Sequence, residues 1–169
     1  MTTLHVLFLC THNSNRSQLA EGILRYKAQK LPAGRFVVSS AGSEPGDQVN
    51  PWAIRTLASH HIDWKGHKPK SIDDVIGQPW DLIITVCDKA KETCPVMPGQ
   101  PAFAHWGMDD PSEADESSKK RAYDETFTYL SRRIDLLLAL PFETLEKRAL
   151  ELRVQHIAEE VPVPRHTPH

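Results

Sequence analysis

An α/β fold in three layers, with helices on both faces of a central four-stranded parallel sheet, is what the sequence predicts. Three observations predict it. Short apolar runs end abruptly in polar turn clusters, as buried parallel strands do. Between them lie segments whose apolar residues recur at helical spacing. The two kinds alternate along 169 residues, a length that holds one ordinary domain with a core of its own.

The elements follow in order. Leu4 to Leu9 is compact, apolar and closed by polar residues, which makes it the first strand. Leu19, Ala20, Ile23, Leu24 and Ala28 then repeat at helical spacing, so Ser17 to about Lys30 should be helix. Phe36 to Ser40, closed by Gly42, is the second strand. Pro51 to His60 is a helix with Asn50 as its cap and Pro51 in its first turn. Ser71 caps a short helix, Ile72 to Ile76, with Asp73 and Asp74 near its positive end. Asp81 to Val86, rich in β-branched residues, is the third strand, and Ala102 to Trp106 the fourth. Tyr123, Phe127, Leu130, Ile134, Leu137 and Leu138 form a long helical stripe that Pro141 ends. Leu145, Ala149 and Leu152 suggest one more helix. Pro162, Pro164 and Pro168 then suggest a loose tail. The expected division is therefore a main domain over 1–140, a helical extension over 141–160 and a tail over 161–169.

Composition narrows the function. Apolar residues make up 40% and charged residues 25%, close to globular averages. A net charge of −2 argues against a nucleic-acid binder. Met1-Thr2-Thr3 carries no positive charge ahead of the first apolar run, so no secretory signal is expected. No apolar stretch approaches the length of a membrane span, and the expected setting is the cytoplasm. Three cysteines cannot form a closed disulfide framework, which fits a reducing compartment or thiols kept for chemistry. The nine histidines lack metal-type spacing: His60-His61 reads as a helix end, and His166 and His169 fall in the tail. No metal or organic cofactor is called for, and monomer is the default. Trp52, Trp64 and Trp80 read as packing residues.

In parallel sheets ligands bind beyond the carboxyl ends of the strands. The first strand ends in Cys10-Thr11-His12-Asn13-Ser14-Asn15-Arg16-Ser17 and runs into the first helix. Successive backbone N–H groups there can curl around one tetrahedral anion at a helix N-terminus. Arg16 adds a planar, two-pronged donor. Cys10 sits at the rim, where the amides, the helix dipole and Arg16 should favour its thiolate and make it a nucleophile. Ser14 and Ser17 can bond the sulfur or brace the loop. The bland alternative is a buried cysteine followed by a polar turn.

Cys87 ends the third strand and Cys94-Pro95 follows seven residues on. Either thiol alone can be a small core residue, and the spacing is poor for zinc. Together with Cys10 they admit serial thiol–disulfide exchange: Cys87 in reach of the first loop, and Cys94 in a polar, helix-breaking segment that can move. After the fourth strand, His105-Trp106-Gly107-Met108-Asp109-Asp110-Pro111-Ser112 presents Asp110 on a stiff turn. Facing an anion pocket, Asp110 is a source of the proton that a leaving oxygen needs. By itself Asp-Asp-Pro would be only a turn. His105 and Trp106 are expected to pack beneath it.

At this point the residues resemble a known family. Cys10 to Ser17, Ser40-Ala41-Gly42 and Asp110-Pro111 look like the low-molecular-weight protein tyrosine phosphatase fold. Cys87, Cys94-Pro95 and His105-Trp106-Gly107 with Asp109-Asp110-Pro111 look like the thioredoxin-coupled arsenate reductases built on it. The resemblance runs from about Leu4 to Pro111 and implies a mechanism. Arsenate enters the loop formed by Thr11, His12, Asn13, Ser14, Asn15, Arg16 and Ser17. Cys10 attacks arsenic and Asp110 protonates the departing oxygen. Cys87 resolves the adduct, arsenite leaves, and a Cys10–Cys87 disulfide passes to Cys87–Cys94, which thioredoxin or a glutaredoxin system reduces. Phosphate and sulfate should compete for the loop. His12 stands where the family often has Gly. Some members bind potassium through residues matching Asn13, Glu21 and Ser40 with a further acidic residue, where this chain has Lys70, whose ammonium would take the ion's place. The alternative within the resemblance is a phosphatase acting on phosphotyrosine or small phosphate esters. Against it stand Cys87 and Cys94, which hydrolysis does not use, and Ser112 and Glu113, where phosphatases often carry aromatic residues. A non-enzymatic phosphate-binding module would not need an activated thiolate.

Overall fold

The computed structural model describes residues 3–94 and 97–165; Met1, Thr2, Pro95, His166, Pro168 and His169, named above, lie outside the described residues. Four strands, β1 (Leu4–Cys10), β2 (Phe36–Gly42), β3 (Leu82–Thr85) and β4 (Ala102–His105), form one sheet in the order β2-β1-β3-β4. All three pairings are parallel. β1 lies inside the sheet, and Val6, Leu7, Phe8 and Leu9 are completely buried, as expected of a strand covered on both faces. The register sets Cys10 beside Gly42, and Leu9, Thr85 and His105 in one row. The carboxyl ends of all four strands therefore open on one edge.

Among the described residues five α-helices accompany the sheet: α1 (Arg16–Ala28), α2 (Pro51–Ser59), α3 (Asp88–Thr93), α4 (Lys119–Leu138) and α5 (Lys147–Glu160). α4 buries Tyr123, Phe127, Leu130, Ile134 and Leu137, the apolar stripe, and packs on α1 and α2. Asn50 caps α2 by accepting from the Trp52 amide, with Pro51 at the first helical position.

Three local readings change. The Ser71 cap is formed, as a capping box with Asp74, but what it starts is a 3-10 turn over Ile72–Asp74 and not a helix to Ile76. The segment after Cys87, read as helix-breaking, is helix α3. The last helix turns a different face inward: Leu150, Val154 and Ile157 are buried and Leu152 is 60% exposed. Its register is set by the sheet edge. Glu151 accepts from the Phe103 amide at 2.9 Å, while Gln155 accepts from the His105 amide at 2.7 Å and donates to the His105 carbonyl at 3.1 Å. α5 thus covers the open edge of β4 with side chains where a further strand would have paired. Leu152, two residues round from Leu150, then faces away.

Arg133 of α4 fastens this helix. Its guanidinium donates to the carbonyls of Trp106 (3.1 Å), Ala158 (3.3 Å) and Val161 (3.1 Å), satisfying acceptors at the end of α5. The chain then runs on as an arm to Arg165, the last described residue.

Candidate active site

The loop between β1 and α1 owes its shape to the segment beside it. The carbonyls of Thr11, His12 and Ser14 accept from the amides of Glu44 (2.9 Å), Gly46 (3.0 Å) and Asn50 (2.9 Å). In a trans peptide the following N–H points the opposite way. The N–H groups of His12, Asn13 and Asn15 therefore turn to the inner side of the loop, forming a concave set of donors suited to an anion. Gly42 permits this closeness, since a Cβ there would stand 2.5 Å from the Thr11 carbonyl oxygen.

Asn13 bolts the loop from behind. Its backbone is left-handed, at φ 53°. Its side-chain amide donates to Ser17 (2.8 Å) and Ser40 (2.9 Å), and its carbonyl oxygen accepts from the Lys70 amide (2.9 Å) and Gln18 (3.0 Å). Ser17 thus braces the loop. His12 directs its ring outward to the Glu44 carbonyl at 3.0 Å. Asn15 is held by the Tyr123 hydroxyl, which donates to it at 2.6 Å. Burial keeps that phenol protonated by pushing its pKa up. Tyr123 looked like one more core residue in a helical stripe; only its hydroxyl sets it apart, and no sequence pattern announced its partner 108 positions away.

Arg16, the first residue of α1, donates to the Met108 carbonyl at 2.7 Å and faces the Asp110 carboxylate at 3.6 Å. Its Nε is buried with no hydrogen-bond partner among the described residues. A buried guanidinium nitrogen left in that condition is costly, and an oxyanion in the loop would satisfy it. The other Asp110 oxygen accepts from the amide (2.9 Å) and hydroxyl (2.8 Å) of Ser112, which fixes the carboxylate against the loop.

Cys10, Cys87 and Cys94 stand as thiols. Cys10 and Cys87 are both buried and act on each other's titration. The neighbouring Cys87, with burial, lifts the Cys10 pKa well above its ordinary value despite Arg16 nearby. The neighbouring Cys10 is in turn the largest cause that brings Cys87 down to about 5; burial opposes it, and the Thr11 hydroxyl, 3.3 Å away, and Arg16 reinforce it. The sequence alone placed the thiolate on Cys10; in the structure Cys87 stands beside it and competes for the charge. The reason is tertiary, because residue 87 reaches the loop from the end of β3 and meets the Thr11 hydroxyl there.

Cys94, half-buried, lies at the far end of α3, with Cys87 at the near end. Seven steps of helix separate their Cα atoms by about 10 Å, whereas a disulfide needs them within about 7 Å. The two can join only if α3 uncoils.

Behind the loop, the buried Glu21 accepts from Ser40 at 2.6 Å and faces Arg25 at 2.6 Å and Lys70 at 3.8 Å. Two cations already oppose this carboxylate, and Asn13 and Ser40 turn donors toward their neighbours. Potassium does not fit these residues. Among the described residues no three His, Cys, Asp or Glu side chains are grouped to hold a metal ion, and no helix is long and apolar enough to cross a membrane.

His105 has more contacts than a packing role implies. It bonds the Thr85 hydroxyl at 2.7 Å and the Asp88 carboxylate at 2.9 Å. Trp106 is fully buried and donates to the Val154 carbonyl. Trp64 and Trp80 are buried.

Residues 5–151 match the family described as low molecular weight phosphotyrosine protein phosphatase. An arsenate reductase of Staphylococcus saprophyticus is 40% identical over 120 residues, covering 71% of this chain and 88% of that protein. Among solved structures, an arsenate reductase from Archaeoglobus fulgidus superposes with a TM-score of 0.59 at 30% identity, over 77% of this chain and 98% of its own. A thioredoxin-dependent arsenate reductase from Corynebacterium glutamicum gives 0.56 at 29% identity, over 79% of this chain and 63% of its own.

Proposed function

The chain belongs to the low molecular weight phosphotyrosine protein phosphatase family, and on that footing we propose that it reduces arsenate to arsenite through three thiols, with Cys10 as nucleophile. The observation that carries this reading is the second buried thiol, Cys87, set at the loop with Thr11 and Arg16 beside Cys10. Phosphate hydrolysis needs one thiol and an acid. A second sulfur, set beside the first and charged near neutrality, is what a reduction needs to resolve a thiol–arsenic adduct.

The chemistry runs in balanced steps. Arsenate lies in the loop 11–17, on the amides, with Arg16 Nε and its neighbouring nitrogen on two of its oxygens. Cys10 attacks arsenic as its proton passes to the neighbouring Cys87 thiolate. Asp110, entering this step as the acid, gives its proton to a departing arsenic-bound hydroxyl, which leaves as water. Cys87 gives its proton to an arsenic-bound oxygen and attacks the Cys10 sulfur. The S–As bond breaks with its electron pair on arsenic, which leaves as arsenite, two electrons richer, while the S–S bond forms. Cys94 then displaces Cys10 from Cys87. The resulting disulfide, carried toward the surface on the uncoiled segment, is reduced by an external dithiol of the thioredoxin type, or by a glutaredoxin system. Phosphate and sulfate compete for the same amides. The protein works as a cytoplasmic monomer.

Reduced protein incubated with arsenate and a thioredoxin system tests this. Wild type turns over. Cys10→Ser is inactive, and Cys94→Ser completes at most one cycle. Full multiple turnover by Cys87→Ser, with thioredoxin as the sole reductant, would overturn the relay. Hydrolysis of an aryl phosphate faster than arsenate reduction would favour the phosphatase reading.

A further inference from the structure

The family match ends at residue 151, yet the chain beyond it returns to the active site. Arg165, at the end of the arm that follows α5, lines the mouth of the loop together with Thr11, Arg16, Cys87 and Asp110. Its guanidinium lies 3.3 Å from Asp88 and 3.3 Å from Asp109. Each of these carboxylates is the chain neighbour of a reacting residue: Asp88 follows Cys87 and Asp109 precedes Asp110.

We propose that Arg165 is a positioning residue of the thiol relay: it straps the first turn of α3 to the acid loop, and its release lets the segment between Cys87 and Cys94 uncoil. The inference rests on the reductase reading for its chemistry and deepens it.

Several observations make this contact a built one. The arm is rooted, because Arg133, itself buried, holds the Ala158 and Val161 carbonyls at the end of α5. Asp88 is gripped from two sides, by Arg165 and by His105, which the fourth strand supplies. Room for the cluster comes from Gly107, where a Cβ would stand 2.5 Å from both Asp88 Oδ1 and His105 Nε2 and 2.8 Å from Arg165. The pull of His105 and Arg165 outweighs burial and keeps Asp88 below the usual carboxylate range, so the strap is charged at neutral pH.

The consequence has two halves. While the strap holds, Cys87 is kept beside Cys10 and placed for attack on the adduct. In the next step the Cys94 thiolate forms a bond to Cys87 and Cys10 leaves as thiolate, so the oxidation is moved and not changed in amount. That step needs α3 to open, which carries Asp88 out of the position that Arg165 grips. Loss of the strap slows the first disulfide and speeds the second.

The test compares wild type, Arg165→Ala and Arg165→Lys with two readouts. In reduced protein, without arsenate, alkylation of Cys94 by iodoacetamide is followed by peptide mass. Arg165→Ala should react about three- to fivefold faster at Cys94, the scale of a partly exposed ion pair, with Cys10 unchanged and Arg165→Lys close to wild type. In a single turnover with arsenate and no external reductant, trapped disulfides should shift from Cys10–Cys87 toward Cys87–Cys94 in Arg165→Ala. Equal alkylation and equal disulfide partition in wild type and Arg165→Ala would overturn the strap. Faster Cys94 alkylation in Arg165→Ala, alongside a wild type that makes no arsenite, would uphold the strap and sink the reductase reading instead.

Discussion

Gly42→Ala separates the shape of the anion loop from its chemistry, because the substitution adds one methyl group on the outer side and touches no reacting atom. That methyl carbon would stand 2.5 Å from the Thr11 carbonyl oxygen and 3.0 Å from the Asn13 nitrogen, both backbone atoms that cannot rotate away. Restoring ordinary contact requires the loop to withdraw by roughly 0.5–1 Å. The Thr11 carbonyl is also the acceptor of the Glu44 amide, so the withdrawal disturbs the bond that turns the neighbouring N–H groups inward. A misplacement of about 1 Å in such a site costs on the order of 100-fold in rate. The overpacking itself costs about 1–3 kcal/mol of stability. The assay is arsenate-dependent reductant consumption with a thioredoxin system, beside a urea titration. We expect kcat/KM to fall by about two orders of magnitude, with weaker competition by sulfate, while most of the protein stays folded. If Gly42→Ala keeps kcat/KM and sulfate inhibition within about threefold of wild type, the loop does not depend on this approach and the reasoning is wrong.

Further outcomes concern the thiol pair, the back of the loop and Tyr123. Alkylation of Cys87 should rise with pH through about 5, and Cys10→Ala should move that midpoint upward by removing the largest cause of the depression. The same depression makes the Cys87 thiolate a stabilising group, fully effective above the unfolded value of 9.0 and lost as pH falls through about 5; Cys10, raised, acts in the opposite sense as pH climbs past 9.0. Denaturant midpoints of wild type and Cys87→Ala across that range measure it. Wild type should show no potassium stimulation, and Lys70→Ala should acquire it by uncovering Glu21; strong stimulation in both would refute the ammonium's role. Tyr123→Phe leaves the Asn15 side chain without its 2.6 Å donor and should cost about 1–3 kcal/mol, read from a urea melt.

The run from Leu4 to Ser17 was legible because its information is local. An apolar strand, a polar turn and an amphipathic helix sit side by side in the chain, and each dictates its own conformation. The same holds for the Asn50 cap of α2 and the stripe of α4. The last helix shows where this stops: Leu152 has the right residue type for a buried stripe, but the bonds from Glu151 and Gln155 to the edge of β4 turned it outward.

By itself, then, the sequence determined four parallel strands, the helices α1, α2 and α4 and a cysteine–arginine loop, since these rest on patterns within a dozen residues. Only the tertiary structure decided that Cys87 stands beside Cys10 at the Thr11 hydroxyl, that α3 holds Cys94 about 10 Å from Cys87, and that Arg165 reaches Asp88 from 77 positions away. Such pairings depend on where the sheet and α5 deliver each side chain, and proton position depends on the burial and neighbours found there. No local pattern encodes either.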